Sequence, residues 1–399
     1  MTVFILVILN LFQDLVFKQM RSSKNSLSLY IHYPFCKSKC PYCDFNSHVR
    51  EAIDHKSFLR AYETELQFFS QKLRDKKITT IFFGGGTPSL MPIFLVEGIL
   101  KKISDLWQVD ENCEITLEAN PTSFEATKFK DLRLACINRL SIGIQALNDN
   151  DLKFLGREHL AKEAIQTIEI AAKIFDNFSF DLIYGRPNQS LKSWSDELKR
   201  AINFGTKHLS LYQLTIEKGT RFFSEFQQKK FIMPDENLLA EFYEMTNEIT
   251  VGAGFEAYEI SNYAKKNFQC RHNLAYWQGD DYLGIGAGAH SRVYFDGEKN
   301  RYAITMLHEP NSWLKKVEES GAGIQKMEII SKKELFEELI ITGLRLREGI
   351  VCNVEFNRQK LKSLSDQGLI IIEKNRLKIP DNFRLLTNAI IAKVCNAAL

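Results

Sequence analysis

Six segments rich in β-branched and aromatic residues recur between residues 27 and 215, with longer amphipathic stretches between them. The strand candidates span residues 27–34, 78–85, 113–119, 139–147, 178–185 and 207–215, and the helix candidates include 54–73 and 161–175. Strands that alternate with helices are typical of parallel sheets, in which the connections cross over through helices. The pattern therefore predicts an α/β fold, built as an open doubly wound sheet or as a barrel.

Every strand candidate ends in glycine or polar residues. A cysteine-rich loop follows the first candidate, and GGGTP, residues 84–88, closes the second. The other four end in polar side chains: Glu118, Gln145, Asp181 with Tyr184, and Gln213 with Thr215. In parallel α/β folds, the loops at the carboxyl ends of the strands converge and form the site. We therefore expect these residues to surround one site.

The composition is that of an ordinary globular protein, since 45% of the 399 residues are hydrophobic and 25% are charged. Such a chain is long enough for a large core and a second, smaller domain. The formal net charge of +3 gives no overall attraction to nucleic acid. Of the eight cysteines, three are clustered and five dispersed. This usage indicates a reducing compartment and a ligand cluster, not a disulfide scaffold.

The clustered cysteines, Cys36, Cys40 and Cys43, form a C-x3-C-x2-C pattern. Buried structural cysteines fit poorly, because the loop also carries lysines, a serine and a proline. A zinc site needs a fourth ligand, for which His32 or His48 is a candidate. In an iron–sulfur site, three thiolates hold three irons of a [4Fe–4S] cube and leave the fourth iron open for a substrate or cofactor. We favour the iron–sulfur site.

With Tyr42 before its last cysteine, this pattern resembles that of the radical S-adenosylmethionine (SAM) proteins. The resemblance implies that SAM chelates the open iron and that an electron from the cluster cleaves its sulfonium. The sequence GGGTP, residues 84–88, is similar to the glycine-rich turn of that family, which approaches the SAM amino group. Without Cβ atoms, such a turn can lie flat against a ligand.

The resemblance is closer to one branch, the oxygen-independent coproporphyrinogen III oxidases and the HemW-type haem chaperones. It runs from about residue 26 to the C-terminus through LYIHYPFCKSKCPYCDF, FFGGGTPSL, EANP, RLSIGIQAL, GREH and DLIYG. It implies a partial barrel of six strand–helix units, (β/α)6, with a small C-terminal domain. We expect an N-terminal extension at 1–25, the barrel at 26–262, a strap at 263–325 and the C-terminal domain at 326–399.

The same resemblance implies a set of SAM contacts: Tyr30, Tyr42, Gly85, Gly86, Thr87, Glu118, Gln145, Arg157 and Asp181. Glu118 and Asp181 can accept hydrogen bonds from ribose hydroxyls or an ammonium group. Arg157 can form a forked contact with a carboxylate. Arg186 departs from the family pattern, which usually has leucine at that position. This side chain either alters what approaches the mouth of the barrel or is a solvated charge, and we favour the solvated charge.

A second group of unusual residues lies in CRHNLAYWQGDDYLGIGAGAH, residues 270–290. Within it, HNLAYW resembles the HNxxYW motif of HemW-type proteins, where the motif is associated with haem binding. His272 is the first candidate for a haem ligand and Cys270 is the second, and neighbouring aromatic residues can pack on a porphyrin. Alternatively, the segment is a structural strap that closes the barrel. We interpret His208 and His308 as ordinary surface or core histidines.

After about residue 326, the pattern predicts two helices followed by a short hairpin, with Asn375 at its turn. This order is winged-helix-like. Some such domains bind DNA, but the lysines here are balanced by acidic residues and give no clear phosphate-binding face. We therefore expect a packing or partner-binding module.

Three functions fit these features: a haem chaperone, a coproporphyrinogen III oxidase and an RNA-modifying radical SAM enzyme. The last would bring further cluster cysteines and a basic domain, and the sequence shows neither. The oxidases carry a fourth cysteine two positions after the third, where this chain has Phe45. That substitution and HNLAYW favour the chaperone, although three thiolates are enough for SAM cleavage.

A haem chaperone implies a [4Fe–4S] cluster, SAM and haem as cofactors. Its expected partners are haem-accepting proteins, with membrane respiratory enzymes as candidates, and an electron donor. We expect a cytoplasmic protein that binds no nucleic acid and has at most peripheral membrane contact, with a homodimer as a candidate assembly.

Residues 3–12, VFILVILNLF, form an apolar run that is shorter than the ~20 residues a membrane-spanning helix needs. No basic residue precedes this run and no small-residue cleavage site follows it, so a secretory signal fits poorly. Two explanations remain: a surface helix, or an extension upstream of a chain that starts at Met20.

Overall fold

A computed structural model of the chain describes residues 25–352 and 356–397. The expected N-terminal extension, apart from its last residue, lies outside these ranges. The first part contains the central strands and their helices: β1 (Ser26–Tyr33), β2 (Phe35–Cys36), β3 (His48–Val49), α1 (His55–Ser70), β4 (Lys77–Gly85), α2 (Ile93–Leu106), β5 (Gln108–Ala119), α3 (Ser123–Thr127), α4 (Phe129–Leu134), β6 (Arg139–Gln145), α5 (Asp149–Phe154), α6 (Ala161–Ile174), β7 (Asn177–Tyr184), α7 (Leu191–Ile202), β8 (His208–Gln213), α8 (Arg221–Gln227) and α9 (Glu236–Gly252).

Strands β1, β4, β5, β6, β7 and β8 lie side by side in that order and pair in parallel. These are the six strands that the sequence predicts, displaced by a few residues at their ends. Parallel neighbours need long crossover connections, and the intervening helices provide them. The prediction of an α/β fold with a partial (β/α)6 barrel is confirmed.

The helices cover the sheet with apolar faces, as α1 illustrates. Its residues Phe58, Tyr62, Leu66 and Phe69 recur every three or four positions and are all buried. Such spacing places them on one side of a helix, which packs against the sheet. Asp54 caps the start of α1 because its carboxylate accepts hydrogen bonds from the first exposed backbone N–H groups.

The second part of the chain extends the same sheet at both edges: β9 (Glu256–Ala257), β10 (Asn262–Ala264), α10 (Arg271–Trp277), β11 (Tyr282–Ile285), β12 (His290–Tyr294), β13 (Arg301–Met306), α11 (Pro310–Ser320) and β14 (Ile324–Ile329). Strand β11 pairs in parallel with β1, and β12, β13 and β14 follow antiparallel. Residues 263–325 thus contribute strands to the barrel sheet, and the expected boundary at residue 326 falls inside β14.

The C-terminal part contains α12 (Lys332–Gly343), β15 (Ile350–Val351), α13 (Arg358–Asp366), β16 (Ile371–Glu373), β17 (Arg376–Lys378) and α14 (Thr387–Cys395). It buries an apolar cluster of its own, which includes Ile340, Leu361 and Leu377. Lys374 and Asn375 both have positive φ angles, 49° and 61°, as a two-residue hairpin turn requires. The predicted turn at Asn375 is confirmed, while the winged-helix-like classification remains a prediction.

Within the described ranges, every helix is too short or too polar to span a bilayer.

Arg186 is not a solvated charge, so the favoured interpretation of this residue is wrong. Its side chain is 1% exposed and forms ion pairs with Glu197 of α7 and with Asp151 of α5. Glu197 also accepts a hydrogen bond from the backbone N–H of Leu147 at 2.6 Å. The guanidinium therefore joins the end of β7 to two helices in place of an apolar side chain.

Replacing Arg186 with methionine should destabilise the protein by roughly 3–5 kcal/mol, because it leaves the buried Glu197 carboxylate without its cation. Denaturant unfolding of the purified variant measures the loss. The matched control is Lys192→Met, which breaks an exposed ion pair with Asp196 on the same helix and should leave the midpoint almost unchanged. Equal midpoints for the two variants would contradict the assignment.

Candidate functional site

The carboxyl ends of the parallel strands surround a cavity of about 420 Å³, which we call the cysteine cavity. Its walls include the three clustered cysteines and residues from four strand ends: Cys36, Cys40, Cys43, Gly85, Glu118, Gln145 and Asp181. The predicted convergence of strand ends is confirmed for these residues. Tyr184 lies elsewhere, since its ring is buried against Trp194 at 5.3 Å.

The cysteine loop is held at both of its ends. Strands β2 and β3, which pair in parallel, bring the residues before and after the loop together. The Thr87 hydroxyl donates a hydrogen bond to Sγ of Cys36 at 3.4 Å. Nη1 of Arg157 donates to Sγ of Cys40 at 3.3 Å. These contacts orient two of the three sulfur atoms toward the strand ends.

The donor set suits an iron–sulfur cube better than a zinc ion. Among residues 25–352 and 356–397, no three His, Cys, Asp or Glu side chains converge on one point that could hold a single metal ion. His32 is already engaged, because Nε2 bonds to the Asn46 carbonyl oxygen at 2.9 Å and Nδ1 to the Tyr30 hydroxyl at 3.1 Å. His48 bonds to the Asn46 side chain through Nε2. Three thiols around one cavity fit a cube whose fourth iron takes another ligand.

The glycine turn comes so close to its neighbours that side chains are excluded. Gly85 has a φ angle of +111°, which L side chains rarely adopt. A Cβ atom on Gly86 would lie 2.5 Å from the Phe35 carbonyl oxygen. The backbone therefore forms one wall of the cysteine cavity and leaves room for a ligand against it.

Two carboxyl groups of the cavity have raised pKa values. Burial, with a smaller contribution from Asp181, raises the pKa of Glu118 to about 8, although the Gly85 N–H donates to Glu118 at 3.3 Å. Burial also raises the pKa of Asp181 to about 6. Oδ1 of Asp181 has no hydrogen-bond partner within the described part of the chain. Both groups are therefore suited to a ligand that brings positive charge or hydrogen-bond donors.

Arg157 also lines the cavity and is held by polar contacts. Its Nη2 donates to the Asn120 side chain at 2.6 Å and to the Gly143 carbonyl oxygen at 2.9 Å. Asn120 in turn donates to the Thr87 hydroxyl at 3.1 Å. Asn120 was not among the predicted contacts, although it follows directly after the end of β5. Gln145 has a φ angle of +72°, a strained conformation of the kind that clusters at functional sites.

Eight of the nine expected SAM contacts line the cysteine cavity: Tyr42, Gly85, Gly86, Thr87, Glu118, Gln145, Arg157 and Asp181. The ninth, Tyr30, instead lines a second cavity, where its ring stacks on Phe82. Their contacts with SAM remain predictions.

The second cavity has a volume of about 610 Å³, and we call it the histidine cavity. It shares Phe45, Gly85 and Glu118 with the cysteine cavity, so the two adjoin. Its other walls include side chains from β1, α10, β11 and β12 and from the chain after β13: Tyr30, His32, Tyr276, Tyr282, His290, Arg292 and His308. His308, interpreted from the sequence as an ordinary surface or core histidine, is exposed and lies on this wall.

The segment HNLAYW forms α10, which packs on β4. His272 is 2% exposed and both of its ring nitrogens are hydrogen-bonded, Nδ1 with the Thr80 hydroxyl at 2.7 Å and Nε2 with the Tyr276 hydroxyl at 2.8 Å. Cys270 is also buried, with Sγ 3.5 Å from a Glu114 carboxylate oxygen. In this conformation neither residue is open to an iron. The contacts are those of a structural strap, the alternative interpretation of this segment.

The chain is similar to known proteins over most of its length. The model of the radical SAM superfamily matches residues 30–205. The haem chaperone HemW of Haemophilus influenzae is 42% identical over 331 residues, which cover 81% of this chain and 84% of that one. Radical S-adenosyl methionine domain-containing protein 1, mitochondrial, of Danio rerio is 36% identical, with 81% of this chain and 73% of that one covered.

A solved structure, the coproporphyrinogen III oxidase HemN of Escherichia coli, has a similar fold. It superposes with a TM-score of 0.77 and covers 95% of this chain and 92% of its own. The two sequences are 22% identical, so the likeness concerns the fold alone.

Each of the variants Cys36→Ser, Cys40→Ser and Cys43→Ser should lack the iron–sulfur absorption after reconstitution, because each removes one iron ligand. The reconstituted variants should also contain no bound iron or sulfide. Cys136→Ser is the matched control, since that cysteine is exposed and distant in sequence from the loop. Loss of the cluster in the control, or its retention in all three ligand variants, would refute the assignment.

Replacing Glu118 with glutamine should stabilise the cluster-free protein, and the gain should grow between about pH 4.5 and pH 8. The folded state holds this proton more tightly than the unfolded state, so wild-type stability falls as pH rises through that window and levels off above it. Denaturant midpoints at pH 5.5 and pH 8.5 measure the difference. The exposed Glu97→Gln serves as control, and a gain independent of pH would contradict the raised pKa.

Proposed function

Because the chain belongs to the radical SAM superfamily, in the group that contains the HemW haem chaperones, we propose that it binds haem and delivers it to acceptor haemoproteins. The chain is about 40% identical to two bacterial members of that group and covers at least three quarters of each of them. Both proteins are named as haem chaperones, and that name is the starting point of the proposal. The geometry of the two cavities supports it.

The superfamily implies a [4Fe–4S] cluster and SAM as cofactors. When bound, the cluster supplies an electron for the reduction of the SAM sulfonium. In our proposal, Cys36, Cys40 and Cys43 hold three irons. Glu118 and Asp181 then accept hydrogen bonds from the ammonium and ribose hydroxyl groups of SAM. This role agrees with their position on the cavity wall and with the unpartnered Oδ1 of Asp181.

The adjoining histidine cavity is the observation that carries the haem proposal. Its volume of about 610 Å³ lies within the range of about 300–1,000 Å³ that is usual for ligand pockets. Its walls combine tyrosine rings with histidine and arginine side chains, the groups that contact a porphyrin face, an iron and a propionate. Haem bound here would lie beside SAM, with Phe45, Gly85 and Glu118 between them.

Phe45 separates the chaperone from the oxidase alternative. It stands where the oxidases carry their fourth cysteine, and its side chain is 60% exposed between the two cavities. An exposed aromatic ring offers a packing surface to a flat apolar ligand. The coproporphyrinogen III oxidase remains the alternative function, since it too would use a tetrapyrrole beside SAM.

Delivery of haem also requires partners. We propose haem-accepting proteins, membrane respiratory enzymes among them, and an electron donor for the cluster. Peripheral membrane contact and a homodimer are further expectations. The cytoplasmic location remains a prediction, because the zebrafish relative is named as mitochondrial.

The cluster-reconstituted protein, incubated anaerobically with SAM, a reductant and coproporphyrinogen III, should release no carbon dioxide. In parallel, haem-loaded protein mixed with an apo-haemoprotein such as apomyoglobin should convert the acceptor to its holo spectrum. The Cys43→Ser variant controls for release of carbon dioxide that does not depend on the cluster. Cluster-dependent decarboxylation would establish the oxidase, and failure of the wild type to bind haem would reject the chaperone.

A further inference from the structure

Two histidines of the histidine cavity have open ring nitrogens. The His308 ring makes no hydrogen bond within residues 25–352 and 356–397, and the His290 ring has one there, between Nδ1 and the Thr305 hydroxyl at 3.4 Å. By contrast, both ring nitrogens of His32 and of His272 are occupied. An iron needs a nitrogen lone pair that no other group holds, so His290 and His308 are the ligands that this cavity offers.

The spacing of these two rings suits an iron between them. Their centres are 6.4 Å apart and their planes are inclined by 75°. Two metal–imidazole bonds of about 2 Å each, together with the ring radii, leave the centres of two axial ligands roughly 6 Å apart. The two rings are therefore spaced as two imidazole ligands of one iron would be.

Arginine side chains of this cavity provide cations for the propionates of a porphyrin, beside the carboxylates of Glu118 and Glu338. Arg292 lies two residues beyond His290 on β12, so the two side chains share one face of the strand, about 7 Å apart. A haem propionate lies at a comparable distance from its iron, and arginine forms forked hydrogen bonds with carboxylates. Nε of Arg292 donates to Glu338 at 2.8 Å, which holds the guanidinium at the cavity wall.

The chain around His308 is joined to the cysteine loop. Nδ2 of Asn46, three residues after Cys43, donates to the carbonyl oxygens of His308 and Ala287 at 3.0 Å each. A Cβ atom on Gly288 would lie 2.1 Å from this Asn46 nitrogen, so the joint is tightly packed. A ligand on His308 therefore lies next to the loop that carries the cluster.

We infer that His290 and His308 ligate the iron of haem in the histidine cavity and that Arg292 pairs with a propionate, an assignment that rests on the proposed function. The aromatic face of Phe45 closes the cavity on the side of the cluster. The strap holds Tyr276 in the cavity wall through the bond between His272 and the Tyr276 hydroxyl, and it contributes no iron ligand.

The test compares haem with metal-free protoporphyrin IX, which has the same propionates but no iron. Oxidised, cluster-reconstituted wild type should bind ferric haem with the low-spin electron paramagnetic resonance signal of two imidazole ligands. The double variant His290→Ala/His308→Ala should lose that signal and bind haem about tenfold or more weakly, yet bind metal-free porphyrin like the wild type. Retained cluster content and porphyrin binding show that the variant is folded.

Two further variants sharpen the comparison. Arg292→Ala should weaken haem and metal-free porphyrin alike, because both carry the propionates. His55→Ala, a histidine of α1 that does not line the cavity, should leave both affinities and the low-spin signal unchanged.

The outcomes separate this inference from the function on which it rests. If the wild type binds no haem, the proposed function fails. If it binds haem with a high-spin signal, or if the double variant keeps the low-spin signal, the chaperone stands and the ligation by His290 and His308 is overturned. If folded His272→Ala or Cys270→Ala loses the low-spin signal and the double variant keeps it, the iron ligand lies in the strap.

Discussion

The parallel pairing of six neighbouring strands, β1 and β4 to β8, is the constraint on which the site depends. Because every strand runs in the same direction, residues far apart in sequence, such as Cys36, Glu118 and Asp181, meet at one rim. The crossover helices bury the outside of the sheet and leave this rim as the place where polar groups face a cavity. Arg186, which follows β7, forms ion pairs with residues of α5 and α7. It is therefore buried and not exposed at the mouth of the barrel.

The two cavities at this rim differ in chemistry and share a wall. The cysteine cavity has thiols and carboxyl groups with raised pKa values, which suit an iron–sulfur cluster and a cationic cofactor. The histidine cavity has imidazoles, tyrosines and arginines, which suit a metalloporphyrin. Asn46, three residues after Cys43, donates to the carbonyl oxygens of Ala287 and His308, so the cysteine loop is bonded to the chain beside the histidine cavity.

The central sheet and most of the cysteine cavity could be predicted from the sequence, because both follow from local patterns: alternation of strands with helices, and polar residues at strand ends. The sequence could not show which histidines have a ring nitrogen free to bind an iron. Whether a ring nitrogen is open depends on neighbours far away in the chain. For His272 the partner is Thr80, 192 positions earlier, and this bond occupies Nδ1 of a conspicuous motif residue. His308 had no motif around it, and its place on the wall depends on pairing between β12 and β13. Arg186 is likewise buried because it forms an ion pair with Glu197 of α7. Which side of α7 faces Arg186 is defined only in the folded protein.

The central claim is that haem and SAM are held side by side in adjoining cavities. An anaerobic crystal structure of the reconstituted protein with both molecules bound tests it most directly. The account predicts haem density in the histidine cavity, between β12 and Phe45, and SAM density in the cysteine cavity, with Glu118 between the two. Haem bound at the buried strap around His272, or on a surface remote from the cluster, would contradict the account.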